Sequence, residues 1–166
     1  MDQIKLYTKN QEYVFDFVDA EIYYAGEFER HFFYNEELGT LILATDHDQA
    51  LCGFGTKGLN IQAFEIDKMD LSEFSRPTSI TCSAFSKFKN LQIIKVPKRT
   101  HKIGYQAFAN MSKLKRVILP KNVNYISLES FLNCENLECV NVSENARIGA
   151  NAFAGCPKIE DKLNAK

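Results

Sequence analysis

Two clusters in the first half of the chain hold residue types that could do chemistry. Gly53-Phe54-Gly55-Thr56-Lys57-Gly58 spells G-x-G-x-x-G, a loop that can bring backbone amides up to a dinucleotide pyrophosphate. That use needs a strand directly before the loop and a helix directly after it. Here the apolar run Leu41–Ala44 ends too early, and Leu59-Asn60-Ile61 alternates like a strand. A glycine-rich hairpin or loop is therefore expected, and the partner motifs of a kinase are missing. Asp46-His47-Asp48 with Cys52 could suggest a metal site or a Cys–His pair. One histidine between two carboxylates reads as a solvated loop, and no third group is at hand to orient the base. His31 and His101 lie far apart in sequence, and no serine has triad partners. The expectation is a protein that is not an enzyme and needs no metal or cofactor.

The cations offer a different chemistry, recognition of negative charge. Net charge is −1, but residues 1–73 hold fifteen Asp/Glu against five Lys/Arg. Residues 74–128 hold eleven Lys/Arg and no acid, and residues 129–166 hold six acids and four bases. Such segregation raises the local potential and steers acidic partners. The five cysteines, Cys52, Cys82, Cys134, Cys139 and Cys156, form no CxxC pair. That makes a poor disulfide framework and a poor zinc site; buried or half-buried thiols are the expectation.

The elements that must position these residues show in an internal repeat. Ile80, Ile103, Ile126 and Ile148 open units 23, 23 and 22 residues apart. In each unit a small residue (Ala84, Ala107, Ser130, Ala152) precedes Phe85, Phe108, Phe131 or Phe153. Phe88, Met111, Cys134 and Cys156 follow, then Leu91, Leu114, Leu137 and Ile159. An alternating run closes the first three units: Ile94-x-Val96, Val117-x-Leu119 and Val140-x-Val142. This predicts one period-2 strand and one short helical or turn segment per unit. An isolated unit buries too little to offset its ordering entropy, so units must stack, with strands about 4.8 Å apart.

The pattern I-G-x-x-A-F-x-x-C-x-x-L-x-x-V-x-L-P resembles the BspA-type leucine-rich repeats. Ile103-Gly104, Ala107-Phe108, Leu114, Val117 and Leu119-Pro120 match it almost in full. The resemblance covers residues ~80–159 and implies that Cys134 and Cys156 belong to the core, in a family that includes adhesins, surface proteins and binders. Thr81 and Ser127 depart from it at the glycine position. The last unit runs into Lys162 where Val is expected, so it reads as a degenerate C-terminal cap.

Residues 1–75 lack the period. Alternation at Ile4-x-Leu6, Tyr13-x-Phe15-x-Phe17, Ile22-x-Tyr24, Leu41-x-Leu43 and Leu59-x-Ile61 predicts a mostly antiparallel β region. Met69, Leu71 and Phe74 fit the repeat template poorly as a worn strand. A solenoid's first strand has an open edge, so residues 1–75 are expected to cap it. The expected fold is an α/β leucine-rich-repeat solenoid with short parallel strands, three to four repeats of 22–23 residues over 76–166, behind that β-rich cap.

If the strands lie in register, alternate residues share one concave face. Those positions are Ile93, Lys95 and Lys98, then Arg116, Ile118 and Lys121, then Cys139, Asn141 and Glu144, with Arg99, His101 and Lys102 at the rim. Three readings stay open: a solvated basic face, a partner site, or pairing with the acidic first half. The partner-site reading makes Ile93, Lys95, Lys98, Arg99, Arg116, Ile118, Lys121 and Asn141 contacts for an acidic protein. A regulator, inhibitor or immunity-type protein would suit. Nucleic acid on the same cations, with Tyr105 and Tyr125 nearby, is the alternative. A carbohydrate-binding or adhesive surface using Tyr23, Tyr24 and Tyr34 is another. No apolar run could span a membrane, and the start Met1-Asp-Gln-Ile-Lys has no secretory signal, so a cytoplasmic setting is expected.

Overall fold

A computed structural model of the chain describes residues 2–25, 28–46, 50–55, 59–82 and 84–159; for residues 19–25, 52, 54 and 55 it describes the backbone alone. The first half is an antiparallel meander of β1 (Gln3–Tyr7), β2 (Glu12–Ala25), β3 (Phe28–Asn35), β4 (Gly39–Asp46) and β5 (Ala50–Gly55). Alternation builds it as expected: Ile4 and Leu6, Phe15, Phe33, and Leu41 and Leu43 are buried on one face. One expectation fails. Leu59-Asn60-Ile61 is no strand, and its two apolar residues are buried from a loop instead. Of the expected glycine-rich hairpin or loop, Gly53 and Gly55 stand in β5, opposite Ala44 and Ile42 in the antiparallel β4–β5 pair, and residues 56–58 lie outside the described residues.

From residue 68 onward the chain makes short strands: β6 (Lys68–Asp70), β7 (Ser79–Ile80), β8 (Ile93–Lys95), β9 (Lys102–Ile103), β10 (Arg116–Ile118), β11 (Tyr125–Ile126), β12 (Cys139–Val140) and β13 (Arg147–Ile148). They form two parallel ladders, β6-β8-β10-β12 and β7-β9-β11-β13. Each repeat thus contributes two strands rather than the one expected. The expected α/β class is corrected to a β-solenoid, because the segment between the strands is a run of tight turns and not a helix. Phe88 N–H donates to Phe85 and Leu91 N–H to Phe88, both i→i−3 bonds at 3.0 and 3.1 Å.

The reason is backbone conformation. Gln106, Glu129 and Asn151 occupy one column with φ of 48°, 56° and 55°, and Asn110, Asn133 and Gly155 occupy a second with φ of 63°, 58° and 74°. A left-handed residue ends helical propagation. It also turns N–H groups toward the next coil: Phe108 N–H reaches the Ser130 carbonyl at 2.8 Å, and Asn110 N–H reaches that of Leu132 at 2.7 Å.

The columns read from the sequence form the core. Phe85, Phe108, Phe131 and Phe153 stack face to face at 5.3, 5.2 and 5.0 Å, with planes within 7° of parallel. Each such pair contributes about 0.5–1.5 kcal/mol beyond area burial. Ala84, Ala107, Ser130 and Ala152 are buried beside them. The Cys134 thiol donates to the Phe108 carbonyl at 3.0 Å and the Cys156 thiol to that of Phe131 at 2.9 Å. Gly104 has no room for a Cβ, which would collide with the Ile80 carbonyl oxygen.

Met69, Leu71 and Phe74, the poorly fitting positions, are fully buried, and β6 pairs in parallel with β8. The meander seals the first rung twice. β1 lies antiparallel on β6 and β5 lies parallel to β7, so one thirteen-stranded sheet begins at β12 and ends at β13.

Thr100 breaks the apolar pattern: it is fully buried and, among the described residues, its Oγ1 has no hydrogen-bond partner. Val123 holds the corresponding place one coil later. Thr100→Val is expected to raise stability by about 1 kcal/mol, read as a higher urea midpoint at unchanged slope. Phe108→Ala, which removes the middle of the stack, is expected to cost about 3–5 kcal/mol. Phe153→Ala, at the end of the stack, should cost clearly less in the same titration.

Candidate binding surface

The outer face of the first ladder gathers most of the residues singled out from sequence. Register places Lys68, Ile93, Arg116 and Cys139 in one row and Asp70, Lys95 and Ile118 in the next. Lys95 and Arg116 therefore share a surface. Lys98 and Lys121 follow in equivalent turns, with Arg99 beside Lys98.

The electrostatics differ from the expected basic patch. Lys95 Nζ lies 3.1 Å from Asp70 Oδ2, and Lys98 Nζ lies 3.5 Å from Glu73 Oε2. Burial alone would raise the Asp70 carboxyl, but hydrogen bonds from Ser72 and Lys95 hold it below the ordinary carboxylate range. Arg99 Nη1 donates to the Ser75 carbonyl at 3.5 Å. Lys5, opposite Asp70 on β1, pairs with Glu12 at 3.3 Å. Among the described residues, Arg116 and Lys121 have no acid within 4 Å. Intramolecular pairing thus accounts for Lys95 and Lys98, and positive charge is left mainly on the second coil.

Two further expectations need correcting. The Asn141 amide bridges the Leu119 backbone, donating to its carbonyl at 2.8 Å and accepting from its N–H at 2.7 Å, so it caps a strand end. Ile93 and Ile118 are half-buried, not exposed. The exposed apolar side chains of the solenoid sit elsewhere: Tyr105 at 48%, Tyr125 at 37%, Leu128 at 42% and Ile148 at 47%. In the second ladder, Tyr125 stands between Lys102 and Arg147. Lys102 Nζ lies 5.4 Å from the Tyr125 ring centroid. The period could have shown this, because Lys102 and Tyr125 are 23 residues apart and each precedes the Ile that opens its unit.

Only part of the first half's suspected chemistry falls on the described residues. Asp46 Oδ1 accepts from the Ala50 N–H at 2.9 Å, tying the ends of the β4–β5 connection together. His47, Asp48, Thr56, Lys57 and Gly58, and the side chain of Cys52, lie outside the described residues, as do the side chains of Tyr23 and Tyr24 and all of Lys162. Tyr34 is exposed. His101 is exposed, whereas His31 is buried under the meander. His31 Nε2 lies 2.9 Å from Thr45 Oγ1 and its ring packs edge-on against Phe74. Glu29 stands 4.0 Å from Nδ1 and is itself paired with Arg76 at 3.4 Å. Burial, reinforced by Arg76 and opposed by Glu29 and Asp2, lowers the His31 pKa. Among the described residues no group of three metal-ligating side chains comes together.

The BspA-type leucine-rich-repeat region matches residues 59–163, in six copies. No curated protein matches the chain at significant similarity. A leucine-rich cell surface protein from Faecalibacterium prausnitzii resembles 84% of this chain at 17% identity and a TM-score of 0.47. The chain spans 35% of the length of that structure. Among the described residues no helix is long and apolar enough to cross a membrane.

Because His31 resists a proton that the unfolded chain accepts below its ordinary pKa of 6.5, its contribution is intact above pH 6.5. It is lost as pH falls through that value toward the lowered folded one. In urea titrations at pH 7 and about pH 5.5, wild type should lose stability on acidification, and His31→Gln should lose less.

Proposed function

Because the chain belongs to the BspA-type leucine-rich-repeat family, we propose that it is a non-catalytic binding module that holds an acidic protein partner on the outer face of its first ladder. The observation that carries this reading is the register, which sets Ile93 beside Arg116 and Lys95 beside Ile118 on one surface of a hydrogen-bonded sheet. Half-buried isoleucines next to a cation without an acidic neighbour among the described residues suit a small interface centre with a polar rim. Lys95 and Lys98, held by Asp70 and Glu73, act in this reading as the rim. A regulator, inhibitor or immunity-type role fits a surface that binds without reacting.

Cys82 and Cys139 are exposed thiols, and Cys134 and Cys156 are buried thiols that donate to carbonyls. The proposed setting is cytoplasmic, where thiols such as these stay reduced. The cell-surface description belongs to the Faecalibacterium protein.

A second reading has its own observation. Tyr125 between Lys102 and Arg147 offers a ring and two cations to a single-stranded nucleic acid. The two readings part on salt. Nucleic-acid binding should weaken steeply between low and moderate salt in a gel-shift titration and should be lost in Tyr125→Ala.

For the first reading, affinity capture from the native cell should lose its principal acidic partner, by about tenfold or more, when Arg116 and Lys121 are both changed to Glu. Lys95→Ala should leave capture nearly unchanged and cost at most about 1 kcal/mol of stability. Undiminished capture by the Arg116→Glu/Lys121→Glu variant would overturn the assignment.

A further inference from the structure

A cleft of about 680 Å³, lined by none of the residues of the proposed interface, lies between the β1–β2 turn at Thr8–Gln11, the loop over residues 60–67 and the turns of the next two coils. Its size lies within the ~300–1,000 Å³ range of small-ligand sites. Phe64 stands in its wall and is 59% exposed, the most exposed large apolar side chain among the described residues. The ring sits on the single 3-10 turn Ala63–Glu65, which is closed by a reciprocal capping box between Gln62 and Glu65. The Asn90 amide holds the Phe64 carbonyl at 2.9 Å. An aromatic ring kept in water on a pinned backbone is a preorganised platform rather than a packing residue.

The polar lining has groups to offer. The Asp67 and Gln92 backbones join coil to coil at 2.7 Å, which sets their side chains next to each other and half-buried. Among the described residues, neither side chain makes a hydrogen bond within the protein, and the same holds for Asn10. Lys9 and Lys113 balance Glu65 and Asp67, so the lining carries no net charge and does not select an ion. Among the described residues, the strands beside the cleft offer no open edge to a peptide, because β1 is paired on both sides by β2 and β6, and β6 by β1 and β8.

We propose that this cleft is a binding site for a short neutral oligosaccharide, with Phe64 as the stacking platform and Asn10, Asp67 and Gln92 as hydroxyl partners. Amide and carboxylate side chains match the paired donor and acceptor character of sugar hydroxyls. The negative face of an aromatic ring attracts the C–H face of a pyranose.

The chain contains no tryptophan, so Phe64→Trp gives the full chain a single fluorescent reporter at the site. The probes are maltotriose, cellotriose, chitotriose and mannotriose, with polygalacturonate as a charged control. At least one neutral trisaccharide should shift the emission saturably. By saturation-transfer NMR, Phe64→Ala and Gln92→Ala should each weaken that sugar by about tenfold, with far-UV dichroism unchanged. The proposal is overturned if none of the four sugars binds. It is equally overturned if polygalacturonate binds better than all of them, or if binding survives in both alanine variants.

Discussion

Each coil of this protein is stable only because a near-copy of itself lies about one strand spacing away. The phenylalanine column shows the constraint most directly. Four successive rings meet at three spacings of 5.3 to 5.0 Å, slightly more than the separation of paired strands. Backbone and side chain therefore stack with nearly the same repeat. Any coil that changed the size of its small residue beside the ring, or filled Gly104, would force these two spacings apart. The left-handed columns obey the same rule. A non-glycine residue at positive φ is unfavourable alone, yet Gln106, Glu129 and Asn151 adopt it together because inter-coil hydrogen bonds surround each one.

Much of this was legible in the sequence, and the reasons for the rest are physical. The apolar columns and the period could be read because every coil must bury the same positions. The second strand of each coil could not. Ser79–Ile80, Lys102–Ile103 and Tyr125–Ile126 are two residues long, too short for any alternation. The turn segment imitated a helix because Ala84, Phe85, Phe88 and Leu91 have helical spacing, while the features that forbid one sit at polar positions such as Gln106 and Asn110. In the cap, β5 was hidden by its glycines.

Charge was legible as composition and misleading as topology. The acids of residues 67–73 and the bases of 95–98 belong to different blocks in sequence, yet the ladder sets them on adjacent coils. Asp70 and Glu73 thereby meet Lys95 and Lys98. A run of like charge along the chain becomes an alternating pattern across it, and the field that remains belongs to the second coil. The same register sets Tyr125 in the opposite ladder, between Lys102 and Arg147, and not among the cations of the first ladder.

The meander occupies the starting rung of both ladders, and this has a consequence for how such a protein can change. Insertion or loss of a whole coil further along leaves the sealed beginning untouched, since each rung offers its successor the same pattern of carbonyls and apolar side chains. Length is therefore adjustable in quanta of 22 or 23 residues, the one-residue difference being absorbed in the turn between β12 and β13, while a shift inside the segment that carries the apolar columns would misalign the coils beyond it. Duplication of a whole coil suits this architecture, and so does a one-residue change in a turn between the columns, whereas an insertion between two column residues does not.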